Sequence, residues 1–316
     1  MSAYVEFDLR KFEDNLKELK TKIPNVKFIF PVKCCNNEKV LELVSKYEYG
    51  FDISNINEYN IIKKYLNGHF LSCSSPMSYE LESINYKNIK IVANNLSSYL
   101  KGKGLRINLN GNEKFDKSRF GEDYTLLSSS IKEELTYIHL HNSDHKDSEK
   151  CNDILDEVKK IISSFPNLKF IDIGGHLEDL SFKNGIEYLQ EMRSIIPTHI
   201  DIIVEAGDFL FKDCGKLFCE VIDVRDNKMS QTVTLNFSKM ANQRWAYPIY
   251  HEETKNELVD TVFYGCSCCE TDIYLETKAR RLKKGDKLMF QNISPYSYQW
   301  DTEFNGINKI RYDFKI

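Results

Sequence analysis

The sequence predicts an α/β protein in which a parallel (β/α)8 barrel is followed by a smaller all-β domain. Three observations predict it. Short apolar runs alternate with amphipathic stretches through most of the first 210 or so residues. Eight such runs fall within about 180 residues, a spacing that suits βα units closed into a barrel better than an open sheet. After about Cys214 the pattern becomes an alternation of apolar and polar residues with turn signals between, and helical periodicity is scarce.

In chain order, residues 12–19 place apolar side chains at helical spacing, and 27–32 (Lys-Phe-Ile-Phe-Pro-Val) is the first buried-strand candidate. A helical stretch follows at 39–46. Further strand candidates lie at 50–53, 69–72, 89–93, 105–109, 136–140, 170–173 and 200–205, with helical or turn-rich segments between them, including 151–165 and 185–196. Beyond Cys214, 217–224, 231–237, 261–265 and 287–291 alternate as exposed-face strands do. The barrel is therefore expected over 8–214 and the β-domain, a β-barrel or sandwich, over 215–316, joined by residues 1–7. No internal repeat and no low-complexity linker separates the two.

The 316 residues are enough for two such domains and for a core that holds a small-molecule site. Lys and Arg number 43 against 47 Asp and Glu, a net charge of −4, so neither nucleic acid nor an anionic membrane is implied as a partner. No apolar run approaches the roughly 18 residues that span a bilayer, and the first ten residues carry no export signal, so a cytoplasmic protein is expected. Nine cysteines, with Cys34-Cys35 and Cys268-Cys269 adjacent, suit reduced thiols better than a disulfide framework.

In a parallel barrel, functional side chains gather at the C-terminal ends of the strands. Lys33 closes an apolar run. In an apolar pocket its pKa is expected to be depressed, and its neutral amine could form a Schiff base with an aldehyde; a lysine that snorkels to solvent is the plain alternative. His139 and His141 flank Leu140, and alternation puts both on one face, where they could bind a metal, stack on a planar ligand or serve as polar barrel-end residues. No Glu or Cys at ligand spacing completes a zinc site beside them, so no metal is expected. Asp172-Ile173-Gly174-Gly175-His176 ends a strand with two glycines whose amides could cradle a phosphate, or simply turn the chain. Glu205 follows a mostly apolar run and needs a cationic or donor partner. Cys266 and Cys269 make a single CxxC, which is too little for a zinc site; one reactive thiol fits 265–272 better.

Taken in order, these segments resemble the pyridoxal 5′-phosphate (PLP) decarboxylases of the alanine-racemase-like fold, fold type III, which pair a TIM-like barrel with a β-domain. The likeness is strongest to the carboxynorspermidine decarboxylase branch. It rests on Ser2-Ala3-Tyr4-Val5 followed by Asp8-Leu9, Pro31-Val32-Lys33-Cys34-Cys35, Gly50-Phe51-Asp52-Ile53-Ser54, Gly104-Leu105-Arg106-Ile107-Asn108, Lys117-Ser118-Arg119-Phe120-Gly121 and His139-Leu140-His141. It continues through Gly174-Gly175-His176, Glu205-Ala206-Gly207, then Gly265, Ser267, Cys268 and Asp272, and ends with Tyr296 and Phe304-Asn305-Gly306. Ten weak motifs in one order make a strong signal.

The resemblance implies that Lys33 holds PLP as a Schiff base, His141 stacks on its ring, and Glu205 keeps the ring nitrogen protonated. Asp52 and Arg106 would line the cofactor, and Gly174, Gly175 and Tyr296 would bind its phosphate. His176, Cys268 and Asp272 would meet the substrate, Cys268 as the acid that reprotonates Cα and Asp272 as partner of a distal ammonium, both reaching the other subunit of a homodimer with shared sites. The implied activity is decarboxylation of an L-amino acid group, in particular a 3-amino-3-carboxypropyl arm converted to aminopropyl, on a small molecule or a modified peptide. The chain also resembles the decarboxylase of microcin-C-type peptide-nucleotide maturation. An amino-acid racemase, another basic amino acid decarboxylase and a non-enzymatic PLP carrier are the alternatives. Asn142-Ser143-Asp144 after the stacking histidine, the missing third glycine, the missing Pro after Glu205 and the short loops depart from the family.

Overall fold

The computed structural model describes residues 2–99, 103–141, 148–177, 179–245, 247–251 and 258–316. They divide into two units: Asp14–Leu210, and Met1–Glu13 with Phe211–Ile316. The division lies a few residues inside the expected barrel boundaries and falls within the helix Leu9–Lys22.

Eight parallel strands close the first unit into a barrel. In order they are Val26–Pro31, Gly50–Ile53, Leu71–Cys73, Ile89–Ala93, Gly104–Asn108, Tyr137–Leu140, Phe170–Asp172 and Asp201–Glu205, and the eighth pairs back onto the first through Glu205 and Ile29. Gly50–Ile53, Leu71–Cys73, Gly104–Asn108 and Tyr137–Leu140 are buried at every position, as strands covered on both faces must be. Ile29, Val92, Tyr137 and Ile203 form a buried cluster, with Phe70 and Phe170 packed against it.

The helices start where short polar side chains cap them. Asn37 accepts from the Lys39 amide to open Glu38–Lys46, Asn55 accepts from Asn57 and Glu58 to open Ile56–Ile62, and Ser181 accepts from Asn184 to open Phe182–Ile195. Among the described residues, the connections after the third and fourth strands carry only a 3₁₀ turn each, Ser78–Leu81 and Leu96–Ser98. Two crossover helices are thus reduced to single turns, which is how the barrel closes in so few residues.

The second unit is a seven-stranded sheet. Its order runs Ile273–Ala279, Val259–Tyr264, Ser230–Leu235, Gly215–Asp226, Tyr4–Asp8 and Arg311–Lys315, with Lys287–Gln291 also paired to Gly215–Asp226. Phe237, Phe263, Tyr274 and Phe290 form its aromatic core, at centroid distances of 4.7–5.3 Å and near-perpendicular angles. Among the described residues no helix is long and apolar enough to cross a membrane.

Candidate active site

The first barrel strand delivers Lys33. Its neighbours Phe30, Val32, Cys34 and Cys35 are fully buried, and a turn in which the Cys34 amide donates to the Pro31 carbonyl (2.9 Å) ends the strand. Pairing with the second and eighth strands fixes what lies beside the lysine. Pro31 is in register with Asp52, and Ile29 with Glu205. Lys33 Nζ accordingly sits 3.7 Å from Glu205 Oε2 and 3.9 Å from Asp52 Oδ2, both carboxyls almost wholly buried. The expectation of a depressed lysine pKa is therefore wrong. Burial lowers it, but the Glu205 and Asp52 carboxyls outweigh burial and raise the ammonium above its ordinary value.

Three carboxyl groups share this barrel end, and their neighbours sort them. Burial pushes Glu205 up, yet the Lys33 ammonium and a hydrogen bond from His139 hold it well below the usual range. Burial, then repulsion from Glu205, pushes Asp52 and Asp172 well above theirs. The three carboxyls are thus pushed apart: Glu205 is the one held toward its ionised form, and Asp52 and Asp172 are pushed toward their protonated forms. Asp172 is held by the Gly174 amide at Oδ1 (2.9 Å) and by the Tyr137 hydroxyl at Oδ2 (3.3 Å), and Tyr137 in turn lies 3.3 Å from Ser72 Oγ. The fold also brings ligand atoms of His139, Asp172 and Glu205 within 4.8 Å of one another from three different strands, a grouping that sequence spacing hides. Each of them is already bonded inside the protein.

One wall of the site is imidazole. His141 stacks on His139 (centroids 5.8 Å, 25°) and meets His176 edge-on (4.8 Å, 82°), and Arg106 Nη2 donates to the His141 carbonyl at 2.8 Å. His141 Nδ1 is buried and has no hydrogen-bond partner among the described residues. Gly174 explains how the ring fits: a Cβ there would lie 2.3 Å from His141 Nδ1, on a backbone with φ +67°. The Gly174 amide is already committed to Asp172. It is not free for a phosphate, and the glycine provides clearance instead. Gly174→Ala should cost about 1–2 kcal/mol from left-handed alanine alone and displace the His141 ring as well; an unchanged melting temperature and unchanged cofactor affinity would contradict this.

The other candidates belong to the sheet unit. Cys268 is exposed in the loop between Val259–Tyr264 and Ile273–Ala279, and its amide donates to Asn305 Oδ1 at 3.0 Å. Asp272 is fully buried. Its carboxylate accepts from the amides of Met240 (3.1 Å) and Ser267 (3.2 Å). Those two amides make it a brace of its own loop. Tyr296, half-buried, opens the short helix Tyr296–Trp300. Asn142-Ser143-Asp144 lie outside the described residues. Sequence reasoning missed Tyr137 and Asp172 as site groups; the available signal was alternation, which puts Tyr137 on the same face as His139 and His141.

Comparison with known proteins agrees with this geometry. Residues 9–68, which include Lys33 and Asp52, match the pyridoxal binding domain of the pyridoxal-dependent decarboxylases. Carboxyaminopropylagmatine decarboxylase of Synechocystis is 26% identical over 207 residues, 60% of this chain and 52% of that protein, so the match spans about half the length of that relative. Among solved structures, diaminopimelate decarboxylase of Helicobacter pylori complexed with L-lysine superposes with a TM-score of 0.80 at 18% identity, over 99% of this chain and 91% of that one. Carboxynorspermidine decarboxylase of Campylobacter jejuni complexed with norspermidine gives 0.76 at 18% identity, over 99% and 94%. This is the fold of the pyridoxal phosphate decarboxylases. Arginine decarboxylase of Paramecium bursaria Chlorella virus shares it, at 0.76 and 17% identity over 99% and 96%. The residues present fit pyridoxal phosphate, the cofactor of that matched domain. A lysine stands at the strand end between two buried carboxyls, a buried imidazole nitrogen lacks a protein partner among the described residues, and a glycine leaves room beside it.

Proposed function

We propose that the chain is a decarboxylase that releases CO₂ from the 3-amino-3-carboxypropyl arm of its substrate and leaves an aminopropyl group. The observation that carries this reading is Lys33, inside the segment that matches a pyridoxal binding domain, set 3.7 Å from the Glu205 carboxyl and 3.9 Å from that of Asp52. Bound pyridoxal phosphate accepts the electron pair that departing CO₂ leaves at Cα. Lys33 would hold the cofactor, His141 would lie against its ring, and Glu205 would keep a proton on the ring nitrogen. Cys268, presented by a partner subunit of a homodimer, would return a proton to Cα. The arm is favoured because carboxyaminopropylagmatine decarboxylase is similar in sequence, and the same arm attached to a phosphate in a peptide-nucleotide would meet the same site.

A CO₂-release panel tests the reading: ornithine, lysine, diaminopimelate, carboxynorspermidine, carboxyspermidine, carboxyaminopropylagmatine and an amino-carboxypropyl phosphoramidate. Release from an arm-bearing compound well above the simple diamino acids is expected. Racemisation without CO₂, or bound cofactor with no turnover of any compound, would overturn it. Cys268→Ala should lower turnover about 10²-fold, the scale of one lost acid, while cofactor affinity stays near wild type. Mixing Lys33→Ala chains with the impaired Cys268→Ala chains should raise activity above that of either variant alone, and no gain under subunit exchange would contradict the shared site.

A further inference from the structure

Glu205 is gripped at both oxygens, and the two grips differ in kind. Oε2 faces the Lys33 ammonium at 3.7 Å, beyond hydrogen-bond distance, whereas Oε1 receives a direct bond from His139 Nε2 at 2.9 Å. His139 has no exposed surface, and Glu205 is almost as buried. An ionised carboxylate only accepts, so His139 Nε2 carries the hydrogen and donates. Its Nδ1 then needs no donor role, and it has no hydrogen-bond partner among the described residues. The groups around the ring are Glu205, Asp172, His141, Lys33 and Arg106, and the His141 ring stacks on it at 5.8 Å. Burial keeps the imidazole neutral against the pull of Glu205. His139 therefore fixes the carboxylate without cancelling its charge.

That distinction matters once the lysine is used. A lysine amine joined covalently to a cofactor no longer offers the same cation to Glu205, and the bond from His139 is the one that remains. We propose that His139 is a positioning residue that holds Glu205 ionised and aimed at the cofactor's ring nitrogen. The proposal deepens the decarboxylase reading and rests on it. It assigns His139 a task distinct from that of His141: one histidine serves the carboxylate and the other the ring face.

The test compares cofactor affinity of the full chain in wild type, His139→Leu and His139→Gln, using pyridoxal phosphate and its 1-deaza analogue, which lacks the ring nitrogen. His139→Leu should weaken pyridoxal phosphate binding about tenfold or more, the scale of one hydrogen bond to a charged group. His139→Gln keeps an N–H at similar reach and should restore most of that loss. The deaza analogue should bind wild type and His139→Leu alike, because the group through which His139 acts is gone. Equal weakening with both compounds would reduce His139 to a packing residue and overturn the proposal, as would no weakening with either. Thermal melts identify a variant that fails to fold, and in that case the glutamine variant decides: loss of its deaza-selective pattern overturns the proposal. A wild-type chain that takes up no pyridoxal phosphate would instead overturn the decarboxylase reading, and the proposal with it.

Discussion

Lys33→Ala is expected to give a folded protein without the visible absorbance of bound pyridoxal phosphate and with turnover reduced by at least about 10⁴-fold. The lysine carries two separable duties. Electrostatically, it is the ammonium 3.7 Å from Glu205 and 3.9 Å from Asp52, and removing it takes away the largest influence that keeps Glu205 ionised against its burial. Chemically, its amine stands at the end of the first strand, where a cofactor aldehyde would be held. Lys33→Arg separates the duties, since it retains the cation but cannot make the covalent link. The arginine variant should therefore melt close to wild type while remaining inactive, and the alanine variant should lose stability as well as activity. Borohydride treatment of wild type followed by peptide mapping should place the reduced adduct on residue 33. An adduct on another lysine, or retained absorbance in Lys33→Ala, would remove Lys33 from the site.

How much of this was legible beforehand depended on whether the information was local. Barrel strands could be read where burial on both faces makes a run continuously apolar, as in Phe28-Ile29-Phe30-Pro31-Val32. In the sheet unit, 311–315 (Arg-Tyr-Asp-Phe-Lys) escaped notice because only Phe314 is buried and its two ends, Arg311 and Lys315, are exposed, and Tyr4–Asp8 is paired with segments some 200 or more residues away. Lys33, His141 and Glu205 were visible as polar residues closing apolar runs. What one sequence could not supply was who stands next to whom. The pocket of Lys33 looked apolar along its own strand, and its two carboxyls arrive from neighbouring strands through register alone. The bonds of Asp272 were hidden for the opposite reason. A carboxylate in a turn-rich loop looks wholly available for a substrate, but which backbone amides it also binds depends on the folded loop, and here two donate to it. The amide of Gly174 was misjudged in the same way, because the acceptor that takes it is the buried Asp172 side chain two residues earlier.

Glu205→Gln is the second large effect, and it should act on more than one group. The amide keeps the shape of the side chain, and its oxygen can still accept from His139 Nε2, but the charge is lost. Turnover should fall about 10²–10³-fold, the loss seen when one preorganised electrostatic partner is removed. In wild type, repulsion from Glu205 is, after burial, the main reason that Asp52 lies well above the ordinary carboxylate range. Without that repulsion, and with Lys33 still 3.9 Å away, the Asp52 pKa should fall back toward the ordinary range, which puts the carboxylate that faces the lysine on the second strand. The pH dependence of stability separates the two carboxylates. A group whose folded pKa is depressed, as for Glu205, stabilises the fold above its unfolded pKa of about 4.3, and the stabilisation is lost as pH falls through the folded value. Glu205→Gln lacks that contribution, so its stability gap from wild type should open as pH rises through the folded Glu205 value to the ordinary carboxylate range, and close on acidification. Asp52 supplies the opposite slope in wild type. Its folded pKa is raised, so stability declines as pH climbs from the ordinary carboxylate range toward that raised value, and this decline should shrink in the variant. Denaturation of both proteins across that range reads both effects at once. Curves that run parallel throughout would mean that Glu205 does not carry the charge of the site, and Asp52 would then be the carboxylate to pursue.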